Sequence, residues 1–162
     1  FSSVNPTASA HFNFSVHEPT GVVAAIAPED SPLLGLVSTL APIIAGGNAV
    51  ILLASQMRAT TAISFAEVIQ NSDVPGGVIN VLTGDPQALL PQMASHLDVN
   101  AWVLARAGSE AKDWLPAAEN VKRLIHWKEI TNDQDPYKIL ATQELKTTWH
   151  PVQTSASGGA AY

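Results

Sequence analysis

Apolar stretches and helical stretches alternate along the first half of the chain. Apolar runs lie at 22–27, 49–53 and 78–82, the last of them interrupted only by Asn80. Such runs are typical of strands that are buried on both faces of a parallel sheet. Between them, residues 33–44 and 60–70 carry apolar side chains at helical spacing. This alternation predicts right-handed strand–helix–strand crossovers, and therefore an α/β fold with helices on both faces of the sheet.

Weaker signals locate the start of the first helix and extend the pattern further along the chain. Ser31-Pro32 joins a capping residue to a proline, which predicts that the first helix begins there. Further along, the apolar run at 101–104 and the segment 122–127 predict two more strands, with a helix over 109–119 between them. The predicted core is thus an open parallel sheet of about five strands.

The two ends of the chain carry a different pattern. Residues 11–18 alternate aromatic and polar side chains, which is the period of a strand, and residues 138–150 are strand-like as well. They predict a two-strand antiparallel flap beside a core that spans residues 20–128. The predicted organisation is a flexible start or linker at 1–10, a single domain at 11–150 and a flexible tail at 151–162.

Composition narrows the classes of function. The chain has 162 residues, enough for one domain with a full core, and 46% of them are hydrophobic. A formal net charge of −6 argues against nucleic acid and anionic membrane surfaces as partners. There is no cysteine, which excludes disulfides and thiolate metal sites. No apolar run reaches the length of a membrane span and no signal peptide is visible, so a cytoplasmic location is predicted.

Few residues are spaced in a way that predicts chemistry. The five histidines are scattered, with no two at i,i+4 spacing, so no metal site is predicted. Glu29 and Asp30 could form a carboxylate pair for acid–base work, but capping of the helix near Pro32 is the favoured interpretation. Ser109 and Lys112 match the Ser-x-x-Lys pattern of acyl-transferring enzymes, and a capping serine beside a solvated charge is again the simpler hypothesis.

An ordered series of motifs resembles a known family. The series comprises Pro-Glu-Asp-Ser-Pro at 28–32, Leu-Ala-Ser-Gln at 53–56, Leu-Ala-Arg-Ala at 104–107 and Lys-Arg-Leu-Ile-His-Trp at 122–127. Together these motifs resemble the cofactor-binding half of the aldehyde dehydrogenases. The resemblance implies a Rossmann-like sheet and a parent protein that oxidises aldehydes with NAD(P).

The same comparison implies that several functional positions have changed. Asp30 lies where the family has the asparagine that binds the oxyanion, and Leu53 lies where a lysine holds the ribose of the cofactor. Arg106 replaces the glycine of the turn that faces the pyrophosphate, and Trp127 falls on the general base. Gln56 could still bind the ribose and Arg106 could attract a phosphate, so these two residues are the candidate vestigial cofactor contacts.

The resemblance covers only part of the family's fold. The resemblance implies that the whole catalytic domain, with its nucleophilic cysteine, is absent, and this combination is most like the C-terminal non-catalytic pseudodomain of the bidomain class-sixteen aldehyde dehydrogenases. The final strand-like segment resembles the family's oligomerisation strand, where Leu145, Thr147 and Trp149 alternate with more polar residues and are the candidate partner contacts. Trp102 and Trp127, in contrast, are predicted to lie in the core.

Three hypotheses about function follow. The leading one is a non-catalytic domain that supports assembly of an aldehyde dehydrogenase, through homo- or hetero-oligomerisation by the flap strands, with no cofactor of its own or only weak binding of NAD(P). The second is a dinucleotide-binding regulatory domain. The third is a fragment or domain of an active NAD(P)-dependent enzyme whose cysteine lies on another domain.

Overall fold

The computed structural model describes residues 2–106, 115–127 and 135–152. It confirms the predicted fold class, with a five-stranded parallel sheet and a separate three-stranded antiparallel sheet. The elements in chain order are β1 (Ser3–Asn5), β2 (His11–Pro19), β3 (Val22–Ile26), α1 (Leu34–Ala45), β4 (Ala49–Leu53), α2 (Ala59–Gln70), β5 (Ile79–Leu82), α3 (Pro86–Ser95), β6 (Ala101–Leu104), a 3-10 helix (Leu115–Glu119), β7 (Arg123–His126), α4 (Tyr137–Ala141) and β8 (Gln143–Pro151).

The order of the parallel strands determines where side chains from different segments meet. The order is β5-β4-β3-β6-β7, so the chain proceeds from β3 through β4 to β5 and then returns to the other side of β3 for β6 and β7. The direction in which successive strands are added to the sheet therefore reverses between β3 and β6. In open α/β sheets, ligands bind outside the carboxyl ends of the strands at such a switch point.

The core lies on both faces of the parallel sheet, as expected for strands that alternate their side chains between two layers of helices. Val23 and Ala25 of β3 belong to one buried cluster, which includes residues of α1. Ala24 of the same strand belongs to the other cluster, which includes Trp102 and residues of α3. Both tryptophans predicted for the core are buried, and Trp127 is 9% exposed.

The start of α1 differs slightly from the prediction. The helix begins at Leu34 rather than at the proline that follows Ser31. Ser31 still serves the beginning of the helix, because both its hydroxyl and its carbonyl accept a hydrogen bond from the N–H of Gly35, at 3.0 and 2.9 Å. The intervening residues form a turn in which the ring of Pro28 packs directly over Gly35.

Replacement of Gly35 by alanine is expected to lower the free energy of unfolding by about 1–3 kcal/mol, the usual cost of overpacking. A Cβ atom at this position would overlap the ring of Pro28 and would lie 3.0 Å from the Cβ of Ser31. Gly76→Ala is the matched control, because a Cβ there meets nothing within 4 Å. Urea unfolding of both variants measures the difference, and equal stabilities would contradict the packing argument.

The predicted flexible start contains a strand, which corrects the prediction of a two-strand flap. β1 pairs antiparallel with β2, and Val4 lies opposite Phe14. The pairing is stabilised by the side chain of Asn5, whose amide donates to Asn13 Oδ1 and to Ser15 Oγ. A three-residue strand has too few alternations to be recognised in the sequence, and its side-chain hydrogen bonds depend on the partner strand.

The third strand of this sheet is β8, which lies on the other side of β2. Hydrogen bonds join Val152 N to Ala10 O and Ser15 Oγ to Thr147 Oγ1, at 3.0 and 2.8 Å. From the first of these contacts to the second, the residue number rises along β2 and falls along β8. The two strands therefore run antiparallel, as predicted. β8 is shorter than the predicted 138–150 segment, because Tyr137–Ala141 forms α4 instead.

The chain divides into two compact units. The smaller unit consists of Phe1–Glu18 and Glu144–Tyr162, and the larger one of Pro19–Gln143. The larger unit therefore continues beyond the predicted end of the core at residue 128.

A buried polar network holds the last residues of the larger unit in place. Asn48 Nδ2 donates to the carbonyl of Thr142 at 2.9 Å and to the carbonyl of Ile43 at 3.1 Å, and Asn48 Oδ1 accepts from the N–H of Gly21 at 3.0 Å. Thr20 also donates to the carbonyl of Thr142, from both its N–H and its hydroxyl.

Several predictions fall outside the described residues. The Ser109 and Lys112 pair lies there, as do most of the predicted 109–119 helix and the tail after Val152. Within the described part of that predicted helix, Leu115–Glu119 forms a 3-10 helix. No helix in the described ranges has the length and apolar character needed to cross a membrane.

Candidate functional site

The carboxyl ends of β3, β4 and β6 bring together polar side chains that are far apart in sequence. Glu29 follows β3, Ser55 and Gln56 follow β4, and Arg106 follows β6. Because β3 lies between β4 and β6 in the sheet, all three segments meet at the switch point. This is the position at which the sequence predicted the vestigial cofactor contacts Gln56 and Arg106.

The centre of this site is the carboxylate of Glu29. It accepts hydrogen bonds from the hydroxyl of Ser55 at 2.6 Å, from the N–H of Gln56 at 3.1 Å and from the N–H of Met57 at 3.4 Å. The guanidinium of Arg106 lies 3.1 Å from the same carboxylate. We call these donors the Glu29 cradle: the Ser55 hydroxyl, the Gln56 and Met57 amides and the Arg106 guanidinium.

The cradle changes the acidity of Glu29. Partial burial alone would raise the pKa of this carboxyl group, because burial disfavours the charged form. The hydrogen bonds from Ser55, Gln56 and Met57, together with the charge of Arg106, outweigh that effect and hold the pKa below its ordinary value. Glu29 is therefore ionised at neutral pH and carries a negative charge at the switch point.

Glu29→Gln is expected to lower the free energy of unfolding by about 1–2 kcal/mol at pH 7, since hydrogen bonds to an ionised group are the stronger ones. A carboxyl group whose pKa is lower in the folded state stabilises that state above the unfolded pKa, which is about 4.3. This stabilisation is lost as the pH falls through the folded pKa. The difference between wild type and variant should therefore shrink below about pH 4.

Chemical unfolding at a series of pH values measures this difference. Asp30→Asn is the matched control, because it removes the same charge from the neighbouring, exposed residue. A Glu29→Gln effect that is constant from pH 3 to pH 7, within the usual range of such titrations, would contradict the charged role of Glu29.

The structure assigns a different contact to each of the candidate residues named from the sequence. Gln56 contributes its backbone N–H to the cradle, and its side chain is exposed. Arg106 lies in the site and is paired with Glu29. Glu29 itself was interpreted as a cap of α1, but it accepts from residues that precede α2. Leu53 is completely buried, so its side chain belongs to the core rather than to the site.

Sequence reasoning missed the role of Glu29 and Ser55. The signal that could have revealed them is positional, because residues directly after adjacent parallel strands share one edge of the sheet. Finding that Glu29 binds Ser55 requires the knowledge that β3 and β4 are neighbours with Ile26 opposite Leu53.

Trp127 lies at the same edge of the sheet but faces the core. Its backbone N–H donates to the carbonyl of Leu104 at 2.9 Å, which continues the pairing of β7 with β6. Its indole packs in a buried cluster, and the ammonium of Lys138 lies 5.9 Å from the ring centroid. The indole has no carboxylate or imidazole function, so it cannot act as a general base.

The predicted partner contacts lie on β8. Leu145 and Trp149 are 58% and 60% exposed. Thr147, between them, is also exposed, and its hydroxyl bonds to Ser15 Oγ at 2.8 Å. Trp149 additionally contacts His11 edge-to-face, with the ring centroids 6.0 Å apart. The strand therefore presents two large apolar side chains to solvent.

The small sheet has a second apolar surface that the sequence analysis did not identify. Val4, Phe12, Phe14 and Val16 line an open groove of about 320 Å³ on β1 and β2. The rings of the two phenylalanines lie 5.5 Å apart, and Phe12 is exposed.

Metal ligands are not grouped within the described ranges. No cluster of three or more His, Asp or Glu side chains there could hold a metal ion. His96 and Asp98 approach each other to 4.0 Å, but both side chains are largely exposed and no third ligand joins them.

Comparison with known proteins identifies the family. The family model described as the aldehyde dehydrogenase family matches residues 2–113, which is more than half of the chain. The chain belongs to the aldehyde dehydrogenase family. The matched segment includes β1 to β6 and all of the Glu29 cradle, whereas Trp127 and β8 lie beyond it.

Individual aldehyde dehydrogenases agree with this assignment. The NADP/NAD-dependent aldehyde dehydrogenase PuuC of Escherichia coli is 34% identical over 131 residues, which is 80% of this chain and 26% of PuuC. A crystal structure of an indole-3-acetaldehyde dehydrogenase in its apo form superposes with a TM-score of 0.69 at 32% identity, covering 78% of this chain and 30% of that one. PnpE from Pseudomonas sp. WBC-3 gives a TM-score of 0.70 at 27% identity, covering 77% and 26%.

These aldehyde dehydrogenases are much longer than the chain. The chain spans about a quarter of the length of the curated relatives that it matches, 26% of the E. coli enzyme and 20% of an aldehyde dehydrogenase from Agaricus bisporus.

Proposed function

We propose that this chain is a non-catalytic domain that supports the assembly of an aldehyde dehydrogenase. The observation that carries the proposal is the position of Trp127, which is buried in the core at the place where the motif resemblance puts the general base. The sequence also contains no cysteine. A covalent mechanism that uses a thiolate and a base has neither group here.

The residues at the carboxyl ends of the parallel strands, where the family resemblance places the cofactor, support the same proposal. Leu53 is buried and offers no hydrogen bond to a ribose. The carboxylate of Glu29 occupies the switch point, and it would repel the phosphates of a dinucleotide. We therefore expect NAD(P) to bind with a dissociation constant no tighter than about 1 mM, which corresponds to only ~4 kcal/mol.

The assembly role is supported by the antiparallel sheet. β8 is an edge strand in the described part of the chain, and Leu145 and Trp149 are exposed on it. Backbone groups at a free edge pair readily with another strand. A catalytic aldehyde dehydrogenase domain or subunit is the proposed partner, and the C-terminal pseudodomain of the class-sixteen enzymes is the arrangement that this combination most resembles.

Two measurements test the absence of catalysis. Purified chain is expected to give no steady production of reduced cofactor from aldehydes and NAD(P), and calorimetry is expected to give no saturable binding at micromolar cofactor. Micromolar binding would instead favour the dinucleotide-binding regulatory domain. Turnover that persists after repeated purification would overturn the proposal.

The assembly role requires a separate test. Leu145→Glu together with Trp149→Glu should reduce the mass measured by sedimentation, or release the chain from a catalytic subunit that purifies with it. Val68→Glu is the matched control, because Val68 is an equally exposed apolar residue on α2. If both variants sediment like the wild type, β8 does not mediate association.

A second candidate function is supported by the length comparison. The chain covers 26% of the E. coli enzyme and contains a five-stranded parallel sheet. A cofactor-binding piece of an active NAD(P)-dependent aldehyde dehydrogenase would contain such a sheet as well. In that case the catalytic cysteine lies elsewhere in a longer protein. In the longer protein, Arg106→Ala would then raise the KM for NAD(P), whereas under the leading proposal this KM stays unchanged.

A further inference from the structure

The donors around Glu29 form a site for an oxyanion. Three hydrogen bonds and one guanidinium converge on a single carboxylate, and none of these donors belongs to the β3–α1 connection that carries Glu29. The hydroxyl and the two amides come from the segment after β4, and the guanidinium comes from the residue after β6. The donor set would therefore remain in place if the Glu29 side chain rotated away.

The site is also accessible from solvent. The side chain of Glu29 is 20% exposed, and that of Arg106 is 33% exposed. Ser55, in contrast, is buried, so the hydroxyl is fixed while the mouth of the site stays open. An external anion could therefore reach the donors without unfolding of the sheet.

We propose that Glu29 is an internal occupant of an anion-binding site made by Ser55, Gln56, Met57 and Arg106, and that it excludes external phosphate from that site. A tethered carboxylate competes at a high effective concentration, which is in the millimolar range or above for a short connection. Its negative charge also repels a second anion. The inference goes beyond the assembly role and holds whether or not the chain has that role.

The structure specifies what the anion would gain. Phosphate offers several oxygens to the hydroxyl and the two amides, and guanidinium groups bind such oxygens in pairs. The carboxylate of Glu29 supplies only two oxygens to the same donors. Removal of the carboxylate should thus vacate the site for an external anion, with no rearrangement of the donors.

The test is a titration of the 162-residue chain with inorganic phosphate at constant ionic strength. The reporters are the amide NMR signals of Gln56 and Met57, which donate to Glu29 in the wild type. Glu29→Ala is expected to bind phosphate at least about tenfold more tightly than the wild type does, a change of 1.4 kcal/mol. Glu29→Ala combined with Arg106→Ala should lose this gain.

Asp30→Ala is the matched control, because it removes one negative charge from the adjacent exposed residue and leaves the cradle intact. An equal gain in Asp30→Ala would overturn the proposal, since general electrostatics would then explain it. An unchanged affinity in folded Glu29→Ala, or a gain that survives the loss of Arg106, would overturn it as well. If Glu29→Ala does not fold, Glu29→Gln serves in its place, with a smaller gain expected because the amide still occupies part of the site.

Discussion

Deletion of residues 138–162 is expected to unfold the larger compact unit or to reduce its stability severely, whereas deletion of residues 144–162 should leave that unit folded. The longer truncation removes all of β8 and the shorter one removes all of it except Gln143, so the two chains differ only in residues 138–143. These residues include most of α4 and the buried Thr142. The comparison therefore isolates the contribution of this short segment to the core.

The expected loss is large because three kinds of contact disappear together. The amide of Asn48 loses its acceptor on Thr142, and Thr20 loses the same acceptor. Ala141, which packs against the core cluster beneath α1, is also removed. Buried polar groups without partners cost about 1–3 kcal/mol each, and a domain of this size is stable by only about 5–15 kcal/mol.

Circular dichroism and urea unfolding of the two truncated chains measure this effect. Retention of a cooperative transition in the shorter chain, with the midpoint of the longer one, would mean that residues 138–143 only cover the surface. Loss of the transition in both chains would instead show that the larger unit depends on β8.

Replacement of Asn48 by alanine is expected to lower the free energy of unfolding by about 2–3 kcal/mol. Asn48 is 2% exposed, and its side chain connects Gly21, Ile43 and Thr142. Alanine at this position leaves the part-buried N–H of Gly21 and the buried carbonyl of Thr142 with fewer partners. The cost is therefore the desolvation of these groups as well as the loss of the hydrogen bonds.

Asn80→Ala is the matched control for this substitution. The Asn80 side chain also donates two hydrogen bonds, to Val50 and to Gly77, but the residue is exposed and water can replace it. Its effect should stay below about 1 kcal/mol. Equal losses of stability in Asn48→Ala and Asn80→Ala would contradict the role of the buried network.

The parallel sheet could be predicted because its strands carry a strong local signal. The runs in β3 and β4 are apolar at every position, and only strands buried on both faces require that pattern. β1 was missed because three residues contain too little periodicity. α4 was missed because its five residues are too few to show a helical period, and the helix depends on contacts with α1.

The candidate site could be predicted only in part. Gln56 and Arg106 were located by their positions in motifs that end β4 and β6, and both lie at the shared edge. Their partner Glu29 could not be identified in the same way, because its interactions join segments that are 26 or more residues apart. The sequence contains the donors and the acceptor, but their proximity follows from the strand order.

The hydrogen bonds between Thr20 and Thr142 have a consequence for how such a unit can be rearranged. They hold the two ends of the Pro19–Gln143 unit beside each other, with Thr20 N only 3.2 Å from Thr142 O. A module whose ends meet can be inserted into a host loop, or its termini can be joined and reopened elsewhere, with little strain. In this chain the unit is already an insertion, since the polypeptide leaves the small sheet at Glu18 and returns to it at Glu144.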